Sequence, residues 1–205
     1  TYFHMYALKK SGIRSLKDLN GKSVGTGPIG GTPATYWPLI LEAGGIKPRR
    51  IVNASSSDLD NQLKDGLLDA NGQSVGLPWG LVLAVETTHD IAVFGIEDDV
   101  AAGFLQKFPF FSKGVIPRGT YKSAPQDLPT LSVWNFFITH REMPADFVYA
   151  LTREIFKNKD ELVKVHKSAV EVEPGNILYS PIPLHPGAVK YYEEIGLQIP
   201  ANLKP

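Results

Sequence analysis

The sequence predicts an α/β fold with a parallel or mixed sheet, and three observations carry that expectation. Short apolar runs alternate with helical patterns between residues 20 and 107, the arrangement that βαβ units produce. One junction is a glycine-rich loop, Gly25-Thr26-Gly27-Pro28-Ile29-Gly30-Gly31-Thr32-Pro33, set between a strand end at Val24 and a helix start. From Gly114 the texture changes to two further strands and then mostly helix, with no internal repeat and no low-complexity stretch.

Taken in order, residues 2–8 read as an apolar strand, and Ser15 caps a short helical turn through Leu19. Ser23–Thr26 is a strand, and the helix after the glycine loop runs to Ala43, stopped by Gly44-Gly45. Pro38 lies inside that helix, so it either kinks there or starts late, near Thr35. Ile51–Asn53 is a short strand, and the helix that follows opens at Ser55–Asp58, carries Leu59 and Leu63 at i, i+4 spacing, and stops at Gly66. Leu67–Ala70 reads as another brief strand ending in a polar turn, followed by a helix from about Trp79 to Thr87. Ile91–Ile96 is a buried strand and Asp98–Lys107 a helix. Val115-Ile116-Pro117 and Thr130–Thr139 read as strands leaving the α/β unit. Pro144 opens a helix over 145–157 with Phe147, Ala150, Leu151 and Ile155 on one face, and two more helices cover 159–169 and 187–195.

The composition bounds the function. Two hundred and five residues, 43% hydrophobic and 20% charged, suffice for one domain or two small ones with a real core. Lys+Arg and Asp+Glu number 21 each, so no overall field favours nucleic acid or an anionic membrane. The absence of cysteine excludes disulfides, thiolate metal sites and cysteine catalysis. No apolar run approaches the ~20 residues of a membrane span. The first ten residues have no signal-peptide character and read as an internal strand, so the chain is expected to start within a larger protein.

The glycine loop points to an anion. The first N–H groups of a helix have no intrahelical partner, the helix dipole adds partial positive charge there, and glycines let a ligand approach the backbone. Thr32 can cap the helix and Pro33 suits its first turn. Nucleotide readings fail on detail. The Walker-like G-x-x-x-x-G-G-T has Gly31 in place of the lysine. The dinucleotide pattern at Gly25, Gly27 and Gly30 lacks the acidic residue expected ~20 positions later, where the chain reads Ile51-Val52-Asn53-Ala54-Ser55. The ligand suggested is a carboxylate or phosphate, and the alternative is a loop that merely turns a strand into a helix.

Several segments, in order, match one family: SLKDLNGKSVGTG (15–27), LEAGGI (41–46), LKDGLLDA (63–70), VGLP (75–78), KFPFF (107–111), VIPRGTY (115–121) and PLHPGAVKYYEEIGL (183–197). On these the chain resembles the TAXI family of solute receptors that serve tripartite ATP-independent periplasmic (TRAP) transporters. The resemblance implies a type II periplasmic-binding fold of two lobes joined by crossover strands. It makes residues 11–112 the second lobe and assigns 1–10 and 113–205 to the crossovers and the C-terminal helical part of the first lobe. It also implies that the first lobe is incomplete, its N-terminal strand–loop–helix being absent from this chain. The expected function is capture of a small carboxylated solute, of the amino acid or dicarboxylate class, and its delivery to membrane permease subunits. The expected location is periplasmic, with no cofactor, no metal, no nucleic acid, no span of its own and no enzymatic activity. The family's Gly-Ser-Gly-Thr-like run is replaced here by Gly30-Gly31-Thr32-Pro33, and its apolar residues after Asp-Ala by Asn71-Gly72-Gln73-Ser74.

On this reading the backbone N–H groups of Gly30, Gly31 and Thr32 hold the carboxylate, with side-chain hydroxyls from Thr35 or Tyr36. Gln73 and Ser74 are candidates for a second polar group on the solute. Trp79 is either a stacking wall or a helix-start residue packed on the core. The alternative is a serine hydrolase: Gly72-Gln73-Ser74-Val75-Gly76 spells the nucleophile-elbow pattern, with His185 as base and Asp127 or Asp146 behind it. The five histidines show no pairing that suits zinc, and His185 before Pro186 equally suits a turn. The Phe108-Pro109-Phe110-Phe111 run is either buried near a crossover or an exposed patch.

Overall fold

Strand β1 (Tyr2–Leu8) alternates Phe3, Met5 and Ala7 with His4, Tyr6 and Leu8, and both sets are buried. A strand buried on both faces belongs in the middle of a sheet covered on two sides. In the computed structural model, which describes all 205 residues, β1 pairs antiparallel with β4 (Ala70–Val75) on one edge. Its other edge is shared by β5 (Ile91–Phe94) and β7 (Leu128–Ser132), again antiparallel. Strand β2 (Ser23–Gly25) runs parallel to β3 (Arg50–Val52) and to β4, and β6 (Ser112–Ile116) closes the sheet against β7. The order is β3-β2-β4-β1-β7-β6, with β5 also on β1. The sheet is therefore mixed: parallel βαβ units with an antiparallel crossover strand inserted beside them, as the type II resemblance implies.

Helices cover the two faces separately. Helix α1 (Thr32–Ala43) and helix α4 (Asp98–Lys107) bury Trp37, Ile40, Leu41, Val100 and Phe104 against Phe3, Met5 and Ala7. Helix α2 (Ser56–Lys64) and helix α3 (Gly80–Val85) bury Leu59, Leu63, Val82 and Val85 against Tyr6 and Leu8. Local signals set the ends. Ser15 and Asp18 form a capping box on the turn Leu16–Leu19, and Ser55 caps α2 by accepting the Asp58 N–H. Helix α1 starts at Thr32 and runs through Pro38; the proline only removes the donor that Ala34 would have met.

Two expectations are corrected. The polar segment Asn71-Gly72-Gln73-Ser74 is no turn but the body of β4, in register with Tyr6, Met5, His4 and Phe3. Asn71 donates to the buried Tyr6 hydroxyl at 3.2 Å, while the buried Asn71 Oδ1, Gln73 Nε2 and Ser74 Oγ have no partner in the protein. Beyond residue 132 the expected strand over 130–139 does not continue.

The chain forms two compact units, Thr1–Val133 and Trp134–Pro205. The second holds α5 (Ala145–Lys157), α6 (Lys159–Val165) and α7 (Pro186–Glu194). The apolar face expected on α5 is turned outward, with Phe147 56% and Leu151 49% exposed. Val148 is buried instead, and Phe156 stacks on Tyr191 of α7 at 5.6 Å. On the α7 side the approach is close, and a Cβ on Gly187 would lie 2.2 Å from the Ala145 carbonyl oxygen. The two backbones touch, and α5 presents the residues around that contact.

Two glycines test the packing. A Cβ on Gly95 would sit 2.0 Å from the Pro129 carbonyl oxygen, whereas one on Gly103 in α4 meets only the Ala43 carbonyl at 3.7 Å. Gly95→Ala is expected to cost at least ~2 kcal/mol, the scale of an overpacked core. Gly103→Ala is expected to gain up to ~1 kcal/mol from helix propensity. Urea midpoints of the two variants check the opposite signs.

Candidate functional site

The chain connections open one crevice in the parallel part of the sheet. From β2 the chain passes through α1 to β3 on one side, and from β3 through α2 back to β4 on the other. Helix α1 lies on one face and α3, which follows β4, on the other. The carboxyl ends of β2 and β4 therefore diverge, and such a switch point is where open α/β sheets bind ligands.

The glycine loop sits there. Gly27 and Gly30 adopt left-handed φ values of 75° and 83°, which L side chains rarely adopt. A Cβ on Gly27 would also lie 2.9 Å from both the Gln73 Nε2 and the Pro33 Cγ. The loop is clamped from β3: the Thr26 N–H donates to the Val52 carbonyl, and the Asn53 amide donates to the Thr26 hydroxyl at 3.0 Å and the Gly27 carbonyl at 3.1 Å. Asn53 stands where a dinucleotide fold would hold its ribose-binding acid, and it is spent on the loop.

At the helix start the cap is Gly31, which has no side chain to offer, and Thr32 is the first helical residue rather than the cap. Both the N–H and the hydroxyl of Thr35 donate to the Gly31 carbonyl at 3.1 Å. The Gly31 N–H closes the loop on the Pro28 carbonyl at 3.0 Å. The N–H groups of Gly30, Thr32 and Ala34 are left without an acceptor in the protein.

Gln73 is the residue that joins β4 to this loop. It is buried, its amide lies against Gly27, and its Nε2 has no partner. The Ser74 Oγ and the Trp37 Nε1 are likewise buried and unpartnered on the α1 face, with the indole nitrogen 3.0 Å from where a Gly72 Cβ would stand. Trp37 and Asn53 escaped the sequence reading. A strand-end asparagine beside a glycine loop was the available signal for Asn53, while Trp37 looks like any core residue.

Two predicted residues face elsewhere. Tyr36 packs into the aromatic cluster of Phe104, Phe108, Phe110 and Phe111, nearest to Phe111 at 4.8 Å. Trp79, 8% exposed, sets its ring edge against His4 and Tyr6 and is a core residue at the start of α3 rather than a stacking wall. The residues of the hydrolase alternative have local settings of their own. Ser74 lies within a strand instead of on a strand-to-helix turn. His185 Nδ1 accepts the Gly187 N–H at the head of α7, and Asp127 accepts the Arg118 N–H at 2.7 Å.

A family model described as the NMT1-like family matches residues 1–196. The chain belongs to the NMT1-like family. Solved structures resembling it include the second substrate-binding domain of a putative amino acid ABC transporter from Streptococcus pneumoniae. That match has 20% identity over 45% of this chain and 39% of that one, with a TM-score of 0.36. An ancestral arginine-binding protein bound to arginine matches at 18% identity over 94% of this chain and 59% of that chain, with a TM-score of 0.33. The ligand-binding core of GluR0 from Nostoc punctiforme, in complex with L-glutamate, matches at 20% identity over 53% and 55%, with a TM-score of 0.34. This NMT1-like chain thus spans 39% to 59% of the length of these three structures.

Behind the site, β1 carries a buried histidine with both ring nitrogens engaged. His4 Nδ1 lies 3.3 Å from the Tyr2 carbonyl, and Nε2 lies 2.9 Å from the Tyr121 hydroxyl. That hydroxyl accepts the Trp79 N–H at 2.6 Å, so its own proton goes to Nε2 and the ring is the neutral Nδ1–H tautomer. Burial lowers the His4 pKa to about 4, against a smaller opposing effect of the Tyr2 carbonyl, and raises that of Tyr121 to about 12. The NMT1-like chain must then lose stability in acid. Above pH 6.5 His4 is neutral folded or unfolded. Between pH 6.5 and about 4 only the unfolded chain takes the proton, and stability falls by up to ~3 kcal/mol. Urea midpoints measured across this window are expected to fall for the native chain and to fall less steeply for His4→Gln.

Proposed function

We propose that this chain belongs to an extracytoplasmic solute receptor that binds a small carboxylated solute at the β2/β4 switch point. The observation that carries the proposal is a helix N-terminus with no capping side chain, its Thr32 and Ala34 N–H groups unpaired, beside the buried, unpartnered amide of Gln73. Donors without acceptors, at the positive end of a helix dipole, suit a carboxylate. Thr32 and Gly30 would donate to it through the backbone. Gln73 and Ser74 would add side-chain hydrogen bonds, and Thr35 lines the first turn. Gly31 shapes the loop, its own N–H being engaged. Membership of the NMT1-like family supports a binding role, and the TAXI resemblance supports delivery to the permease subunits of a TRAP-type transporter. In such a receptor a second lobe would close over the solute.

Gly31→Asp tests the site. An aspartate at this N-cap position accepts the same N–H groups that the solute needs, so it stabilises the helix by a few tenths of a kcal/mol while excluding the ligand. The backbone at Gly31 is unstrained, and a Cβ would press on the Pro28 carbonyl at 3.1 Å and touch Pro33 Cδ at 3.5 Å, which the loop must absorb by a few tenths of an ångström. Against a carboxylate library read by thermal shift, the variant is expected to keep or raise its melting temperature and to lose every ligand-induced shift. Ser74→Ala is expected to weaken binding by only ~1 kcal/mol. Unchanged ligand shifts in Gly31→Asp would remove the glycine loop from the site.

A further inference from the structure

Asparagine precedes glycine twice in this chain, at Asn20-Gly21 and Asn71-Gly72, and the dipeptide is chemically labile. With no side chain to hinder it, the glycine nitrogen attacks the asparagine Cγ and expels ammonia. Water then opens the resulting succinimide, to aspartate or to an isoaspartyl linkage. The reaction needs a base to take the proton of the attacking nitrogen, and a backbone free to bring that nitrogen onto Cγ.

In β4 the fold calls for both members of the pair. A Cβ on Gly72 would lie 2.6 Å from Met5 Cγ and 3.0 Å from Trp37 Nε1, so any larger residue there would have to displace Met5. Asn71 donates to the Tyr6 hydroxyl at 3.2 Å, and that hydroxyl donates to Asp60 Oδ1 at 2.7 Å. The same packing disarms the pair. Asn-Gly favours a tight turn, yet here it is held extended between Tyr6 and Met5 of β1 on one edge and β2 on the other, where Gly25 pairs with Asn71. Both residues are buried, so water does not reach them to take the proton or to open a ring.

We infer that Asn71-Gly72 is a deamidation site gated by folding: closed while β4 is in the sheet, open whenever the strand leaves it, and one-way in its effect. An aspartate at position 71 would bury a second carboxylate beside Asp60, whose charge Lys64 already meets at 2.8 Å. An isoaspartyl linkage would add a methylene to the main chain and break the register of Gln73 with His4 and of Ser74 with Phe3. Either product keeps β4 from re-forming, so unfolding becomes irreversible through chemistry at this one strand. Asn20-Gly21 is the comparison within the same chain. It lies in an exposed turn, its side chain bonded to the Lys17 carbonyl and the Lys47 N–H.

The test holds the 205-residue chain at mildly alkaline pH, native in one sample and in guanidinium chloride above its unfolding midpoint in another. Peptide mapping by mass spectrometry follows the exchange of NH2 for OH at each asparagine. In denaturant Asn71 and Asn20 are expected to convert at comparable rates. In the native sample Asn71 is expected to convert at least ~tenfold more slowly than in denaturant, and more slowly than Asn20. After dilution from denaturant, size exclusion separates native from misfolded chains, and the product at position 71 is expected in the misfolded fraction alone. Asn71→Asp is expected to fail to fold or to have a lower urea midpoint than the native chain. Conversion of Asn71 in the native sample as fast as in denaturant, or none in denaturant, would overturn the gate. Equal shares of the product in native and misfolded fractions, or an unchanged urea midpoint in Asn71→Asp, would overturn the one-way effect and with it the proposal.

Discussion

The double burial of β1 is the constraint on which the first unit depends. One strand supplies hydrogen-bonding edges to β4, β5 and β7 and side chains to both cores. From Phe3 to Leu8 nothing polar on it can reach water, so each polar group there needs a protein partner. His4 meets a carbonyl and a hydroxyl. Tyr6 donates to Asp60 and accepts from Asn71, and burial, together with the Asp60 bond and charge, pushes its pKa upward. The Phe3 carbonyl receives the Thr130 hydroxyl from β7. These pairings reach into α2, β4, β7 and the segment around Tyr121, and so fix the elements around the strand.

Along β4 the rule is met only in part, since the buried Asn71 Oδ1 has no partner. Asn71 keeps its amide nitrogen satisfied by Tyr6, deep in the sheet. Two and three residues later, at the carboxyl end, Gln73 Nε2 and Ser74 Oγ have no partner although both atoms are buried. Unpaired buried donors cost stability. Here they fall beside the start of α1, which has no capping side chain, whereas α2 carries the Ser55 cap. Local departures from self-sufficiency gather at the place the topology reserves for a ligand.

Most elements could be read from the sequence because their signals are local. Capping at Ser15 and Ser55, glycine stops at Gly44 and Gly66, and the alternation of β1 depend on neighbours a few residues away. What escaped was set by tertiary partners. β4 reads as a turn because four consecutive polar or small residues discourage a strand, and only Tyr6 and Gly27 explain why they are tolerated there. Which side of α5 meets α7 depends on Gly187, forty residues on, and no local pattern shows it. At the site the glycine loop was legible as an anion binder. The capping role given to Thr32 passed to Gly31, since Thr35 bonds back to the Gly31 carbonyl. Tyr36 and Trp79 have polar groups that suggest ligands, yet their rings fill aromatic clusters that no single-sequence pattern reveals.

The position of β1 also orders the assembly of the fold. It precedes every strand it touches, and its partners lie in register at residues 71–75, 91–94 and 132. Loops of that length must close before the central pairing contributes anything, which raises contact order and slows folding. On the ribosome this apolar strand emerges ahead of both flanking edges and both helical covers. Until residues 71–75 and 91–94 have been made, it is an apolar segment without its strand partners.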